Sequence, residues 1–257
     1  MAAERTLVIA ECGSSWRFGD DPPANGYRLI RAVKACGADV AKFQWASDGV
    51  KMAARRGLPG SGEMYVKYLQ YDLAWLKLLK SECDRVGIEF MCTVYLPEDI
   101  PVIAPLVKRF KISAHESQWD RFLDAHQTYN RPIIVSINPG QRPADGKSVS
   151  NLHCISEYPA PLEHMQLVRS GLSEYDGSCF GLSDHSGNVL TGAVAVARGA
   201  KIIESHVRLQ DTPEDNPDYG HSLSVTLSCS CRDWECGHDQ SPYEQYVSNV
   251  RLAERML

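Results

Sequence analysis

The sequence predicts an α/β chain folded as a (β/α)8 TIM barrel, on three observations. Short apolar runs of about 4–8 residues alternate with segments of helical period, the pattern of a parallel sheet buried on both faces. The length of 257 residues is close to the ~250 typical of such a barrel. No Pro- or Ser-rich linker divides the chain, so residues 1–257 read as one domain. An open doubly wound sheet shows the same alternation and is the competing architecture.

The elements follow in order. Residues 7–12 form the first apolar run, and 25–36 a helix with Leu29, Val33 and Cys36 on one face. Residues 38–44 are the second strand. A helix over 68–86 carries Leu69, Leu73, Leu76 and Leu79 and stops at Gly87. Strand 88–94 precedes a short helix at 98–106, and strand 109–114 a helix at 118–129. Strands 132–137 and 151–155 follow with little between them. Pro139, Gly140, Pro143 and Gly146 oppose a helix there, so the fifth barrel helix is expected to be shortened or missing. Helix 162–175, strand 179–183, helix 188–198, strand 201–207 and helix 242–256 complete the pattern. Long loops are expected at 45–67 and 208–241, at the C-terminal mouth of the barrel.

Composition excludes several classes. Charged residues make up 23% and apolar residues 44%, and the formal charge is −5, which is ordinary for a globular protein. The mild acidic balance carries no basic nucleic-acid footprint. No run approaches the ~18–20 apolar residues of a membrane span. The N-terminus lacks the basic region and long apolar stretch of a signal peptide, so the expected location is cytoplasmic. Cys12, Cys36, Cys83, Cys92, Cys154 and Cys179 lie mostly in apolar segments and read as buried thiols.

Reacting groups of a (β/α)8 barrel come from the C-terminal strand ends. Here those ends carry Glu11; Lys42 and Gln44; Thr93; Lys111 and Glu116; Ser136; His153; Ser183, Asp184 and His185; and Glu204 and His206. Asp184 or Ser186 also fits a helix cap. Caps do not explain lysines, carboxylates and histidines converging on one mouth, where charges need partners or ligands. Lys42 and Lys111, with the hydroxyls of Thr93, Ser136 and Ser183, suit a phosphate or carboxylate. His185 and His206, on adjacent strands, are able to share a divalent cation, or else are hydrogen-bonded core histidines. Cys229-x-Cys231-x4-Cys236-x-His238 is a candidate structural Zn2+ site in the long loop after the eighth strand, or a plain thiol loop. The basic stretch at Arg55-Arg56 reads as a solvated loop or an acidic-substrate contact. Trp16, Trp45 and Trp119 either pack loops or wall an acceptor pocket.

Taken together, several stretches resemble the sialic acid (N-acetylneuraminate) synthase family. They are Glu11-x-Gly13, Gly37-Ala38-Asp39-Val40-Ala41-Lys42-Phe43-Gln44, Phe110-Lys111-Ile112 with Glu116, and Arg131-Pro132-Ile133-Ile134-Val135-Ser136. Leu152-His153-Cys154 with Tyr158-Pro159, Gly181-Leu182-Ser183-Asp184-His185-Ser186 and Lys201-Ile202-Ile203-Glu204-Ser205-His206 continue the order over roughly residues 7–225. The resemblance implies a cytoplasmic transferase that condenses phosphoenolpyruvate with an aldehyde or sugar acceptor, using Mn2+ or Mg2+. It gives catalytic roles to Glu116, Lys111, Lys42 and Glu11, and a metal to His185 and His206. It gives substrate contacts to Gln44, Thr93, Ser136, Tyr158, Ser183, Asp184 and Asp218. It also suggests a homodimer, with no nucleic-acid or membrane partner.

Departures from the family pattern stand at Ser15-Trp16, Ala114-His115 and Ile137-Asn138-Pro139, mostly on the acceptor side. The family's C-terminal antifreeze-like domain is expected to be absent, because the barrel uses the available length. A metal-dependent aldolase or lyase on a sugar acid, and a degenerate barrel that only binds a ligand or partner, are the alternative readings.

Overall fold

The computed structural model describes residues 5–165, 179–226 and 240–257. Eight parallel strands pair in chain order: β1 (Leu7–Gly13), β2 (Val40–Gln44), β3 (Glu89–Thr93), β4 (Phe110–Ile112), β5 (Ile133–Ile137), β6 (Val149–Cys154), β7 (Cys179–Asp184) and β8 (Ile202–Leu209). β8 returns to pair with β1, from Leu7 opposite Ile202 to Glu11 opposite His206, so the sheet closes. This is the (β/α)8 barrel, and the open-sheet alternative is set aside. A ninth short strand, β9 (Leu223–Val225), extends beside the outer end of β8.

Side chains alternate along each strand between the barrel interior and the helix layer. Val8, Ala10 and Cys12 of β1 pack outward into the large core under the helices. Ile9 instead joins Val40, Met91, Ile134, Leu152 and Ile202 in a small apolar plug inside the barrel. The next inward position is polar on five of these six strands, Glu11, Lys42, Thr93, Ser136 and Glu204, and is Cys154 on β6. The plug is therefore the floor of the site, and the register sets the polar groups at one level above it. Glu11 lies opposite Lys42, Gln44 opposite Thr93, and Thr93 opposite Lys111.

The helices start and stop where their residues dictate. α1 (Pro22–Ala35) begins earlier than its apolar period suggests, because Asp21 accepts from the Ala24 N–H and two prolines fit the first turn. α4 (Leu73–Val86) is capped by Asp72 and ended by Gly87 at φ 72°. α5 (Ile100–Ile103) is one turn, and α6 (Asp120–Gln127) and α8 (Thr191–Ala197) follow β4 and β7. α7 is described over Leu162–Met165, and α9 (Pro242–Arg255) starts on a Ser241 cap.

The expected long loop at 45–67 is corrected. It folds as α2 (Gly49–Arg55) and α3 (Gly62–Leu69), which pack on each other and reach over the barrel mouth. Asp48 caps α2, and Gly49 sits where a Cβ would strike the Val66 backbone. The missing fifth helix holds: residues 138–148 contain none. Asn151 pins that connection by bonding both the N–H and the carbonyl of Ala144, at 3.1 and 3.0 Å. In the other long segment, residues 208–226 carry the turn Tyr219–His221 and β9. Cys229, Cys231, Cys236 and His238 lie outside the described residues.

Trp16 is buried between barrel and helices, edge-on to Phe43 and Tyr71 at 5.9 and 5.2 Å. Trp16, Trp45 and Trp119 thus pack against the core, and none of them lines the cavity at the barrel mouth. Among the described residues, no helix is long and apolar enough to cross a membrane.

Candidate active site

A cavity of about 530 Å3 opens at the C-terminal end of the barrel, between the strand ends and the α2–α3 pair. Its floor is ionic. Lys42 and Lys111 are 2% and 3% exposed, and both point into it. Lys42 Nζ pairs closely with Glu11 and bonds Thr93 Oγ1 at 3.2 Å. Lys111 Nζ donates to Ser136 Oγ at 2.7 Å. Glu204 lies between the lysines, 3.6 Å from Lys42 and 3.5 Å from Lys111, and accepts from Ser183 Oγ at 3.1 Å.

Two cations facing two anions balance a buried site that neither sign tolerates alone. Burial works against the Lys42 charge, but Glu11 and Glu204 outweigh it and hold its pKa above the ordinary value. Lys111 moves the other way. Burial lowers its pKa, Lys42 adds to that, and Glu204 offsets only part of it. Burial also opposes the Glu204 charge, but the two lysines hold its pKa below the usual carboxylate range. Lys111 is therefore the cation most in need of a further anion.

The opposite wall is imidazole-rich. His206 of β8 and His221 approach to 3.2 Å between ring nitrogens, and Asp218 Oδ1 lies 3.4 Å from each. One donor atom from each of the three falls within 4.8 Å of the others. Burial resists the Asp218 charge, but the two histidines hold its pKa well below the usual value. Burial likewise resists charge on His206, and the Asp218 hydrogen bond reverses the balance and raises its pKa. His185 directs Nδ1 to the Ile155 carbonyl at 2.7 Å, leaving Nε2 available on the cavity side. Burial, reinforced by His206, lowers its pKa to about 3, so this imidazole is neutral. The Tyr158 ring covers His185 at 4.3 Å, on the half-exposed rim.

Glu11, Lys42, Gln44, Thr93, Lys111, Ser136, Tyr158, Ser183, His185, His206 and Asp218 all line this cavity, as their strand-end positions imply. Two expected residues do not. Asp184 follows the inward Ser183 by one residue and so faces the helix layer. There it accepts from Ser186, Thr191 and the Tyr246 hydroxyl, tying β7 to α8 and α9, although it does not cap α8, whose N-cap is Leu190. Glu116 is fully buried behind the wall, clasped by Arg56 at 2.7 and 2.6 Å and by Ser113. The group at the cavity surface is Arg56, from the end of α2.

Among the cavity residues outside the expected site set, Glu204, His221 and Ser14 bear on the chemistry. Glu204 had a legible signal, since it is two residues before His206 and shares its face. His221 follows Asp218 by three residues, so one short turn presents both. Ser14 donates its N–H and hydroxyl to Asp218 Oδ2, at 2.5 and 2.7 Å across 204 residues of sequence, a contact no local pattern announces.

Comparison with known proteins identifies the setting. The family model described as the NeuB family matches residues 29–227. The N,N'-diacetyllegionaminic acid synthase of Legionella pneumophila is 30% identical, over 98% of this chain and 73% of that protein. The N-acetylneuraminate-9-phosphate synthase of Mus musculus is 27% identical, over 98% and 71%. Among solved structures, a sialic acid synthetase from Leptospira borgpetersenii superposes with a TM-score of 0.78 at 20% identity, covering 98% of this chain and 85% of that one. A truncated 3-deoxy-D-arabino-heptulosonate 7-phosphate synthase from Thermotoga maritima shares the fold at a TM-score of 0.63 and 13% identity, over 99% and 87%. With the family model spanning most of the barrel, this chain belongs to the NeuB family.

Proposed function

We propose that the protein is a metal-dependent synthase that joins phosphoenolpyruvate to an aldehyde or aldose-type acceptor, releasing phosphate and forming a 2-keto sugar acid. One observation carries this reading. Two buried lysines with serine and threonine hydroxyls close the floor of a cavity whose far wall is a cluster of imidazole and carboxylate donors. The relatives named as synthases of sugar acids support the same chemistry.

Lys42 and Lys111 bind the phosphate and carboxylate of phosphoenolpyruvate, and Thr93, Ser136 and Ser183 supply directional hydrogen bonds. The lysines stand where negative charge grows as the C–O bond to phosphate breaks. C3 of phosphoenolpyruvate bonds to the aldehyde carbon, a water adds at C2, and phosphate leaves. Glu11 Oε1 is fixed by the Gly13 N–H at 2.7 Å, which sets this carboxylate to orient that water and take its proton. Gln44 and Tyr158 border the acceptor side, and Arg56 gives that side a positive group.

His206, His221 and Asp218 fit a divalent cation in donor type and spacing, with the free nitrogen of His185 alongside. When bound, such a cation supplies Lewis-acid polarisation of the acceptor carbonyl.

The test is phosphate release from phosphoenolpyruvate against a panel of aldoses and amino sugars, with the keto acid identified by mass spectrometry. Lys111→Ala and His206→Ala are expected to abolish it. No phosphate across the panel, together with no thermal shift on adding phosphoenolpyruvate, defeats the proposal. Carbon–carbon cleavage of a sugar acid without phosphate release points instead to the lyase alternative.

A further inference from the structure

The geometry points to His221 as a third protein ligand, which with His206 and Asp218 makes a two-imidazole, one-carboxylate site selective for a transition-metal ion over Mg2+. The inference rests on reading this mouth as the synthase site only for what the ion does there. The expected pair was His185 with His206, serving Mn2+ or Mg2+. The chain instead gathers His206 with two residues of the loop after β8.

The three side chains that pair with one another also turn their donor atoms toward a common point. Two imidazole nitrogens at 3.2 Å make one hydrogen bond, with one ring donating and the other accepting. Asp218 Oδ1 is then 3.4 Å from both, at the long limit of a useful contact. The three donor atoms lie 3.2 to 3.4 Å apart, close to the separation of neighbouring ligands on one ion held at about 2.0–2.1 Å, and both rings are buried.

The carboxylate is also held from behind. Its other oxygen accepts from the N–H and hydroxyl of Ser14. Asn216 accepts from the Asp218 N–H at 3.0 Å and donates to the Ser14 carbonyl at 3.1 Å. Gly13 lacks the Cβ that would collide with this carboxylate. Such outer contacts orient a ligand and leave its remaining oxygen for the ion. His185 stands further off, its ring centroid 5.2 Å from His206 and 6.4 Å from His221.

Donor chemistry sets the selectivity. Imidazole nitrogen suits later first-row ions, whereas Mg2+ demands oxygen and finds here a single carboxylate.

The experiment titrates metal-stripped full-length protein with Co2+, followed by calorimetry and visible absorption. Saturable binding is expected, with cobalt bands in the visible and no displacement by a large excess of Mg2+. A thiolate charge-transfer band separates any ion held by the cysteine-rich segment. His221→Gln is expected to lose more Co2+ affinity than the roughly 10–100-fold that an outer contact is worth, and Ser14→Ala to lose about that much. His164→Gln, at an exposed ring paired with Glu157, is expected to bind as the parent does. Circular dichroism in chelator checks that His221→Gln is folded; if it is not, the Mg2+ competition on the parent protein decides alone. Parental Co2+ affinity in folded His221→Gln, or ready displacement by Mg2+, overturns the inference. The thermal shift given by phosphoenolpyruvate in chelator reads the lysine end separately. A retained shift with no selective Co2+ site refutes this inference and leaves the synthase reading standing, and the converse result does the reverse.

Discussion

Replacing Glu204 by Gln removes one charge from a site where two lysines depend on it. The carboxylate is 3.6 Å from Lys42 and 3.5 Å from Lys111. At an effective dielectric of ~20, each contact is worth about 5 kcal/mol gross. The desolvation cost already met by the buried carboxylate cancels much of this, and unbalancing a buried pair costs about 3–5 kcal/mol net. For a chain of this size, that lowers the melting temperature by on the order of 10 °C. The amide is isosteric and keeps the Ser183 contact, so packing is not the cause. A second effect distinguishes this account from general damage. With one countercharge gone, the lysines favour a bound polyanion more strongly, and ligand binding returns as stability. The melting shift caused by saturating phosphate or phosphoenolpyruvate is therefore expected to be larger in Glu204→Gln than in the parent. Differential scanning fluorimetry with and without anion measures both quantities. A variant that melts with the parent, or gains no more from the anion, refutes the charge-balance argument.

Two further expectations concern stability. His126 is buried with its ring edge-on to Phe110 and Phe122 at 5.0 and 4.7 Å, and burial lowers its pKa to about 4. From pH ~6.5 down to ~4 the unfolded chain holds a proton that the folded chain refuses, so stability falls with pH across that window, by about 3 kcal/mol in all. Urea unfolding of His126→Leu is expected to show a flatter pH dependence there, and an unchanged slope counts against the assignment. Arg56→Met strands the fully buried Glu116 carboxylate and is expected to cost about 3–5 kcal/mol. Adding Glu116→Gln to that variant should restore much of the loss, and a double variant no more stable than the single shows that the ion pair was not the cause.

Much of this architecture is legible because burial writes a period into the chain. Each strand is an apolar run, and the two prolines and two glycines at 139–146 oppose a helix there. The same rule misleads at 45–67. Gly49, Gly57, Pro59, Gly60 and Gly62 read as breakers, yet they stand at helix starts, at the turn between helices, and at a contact too close for a Cβ. The site divides in the same way. Lys42, Thr93, Ser136 and His206 follow from strand ends alone. Asp184 and Glu204 depend on the two-residue period carried through to the last strand position, which turns the first outward and the second inward. His221 and Arg56 reach the cavity from segments whose path is set by tertiary packing, and the hold of Ser14 on Asp218 spans most of the sequence.

The closing pair β1–β8 bears on how the protein comes into being. During synthesis the first strands emerge while their eventual partner does not yet exist, so β1 and the latest strand made both present open edges. Glu204 and His206 belong to that final strand, whereas Lys42 and Lys111 are made long before it. Until β8 arrives, Glu11 alone answers Lys42, and both lysines lack the second carboxylate that lies between them. Ring closure thus completes the charge balance that Glu11 begins. The nascent chain has reason to stay open until its last strand is delivered, and a polyanion in the surrounding solution is a natural temporary substitute for the missing glutamate.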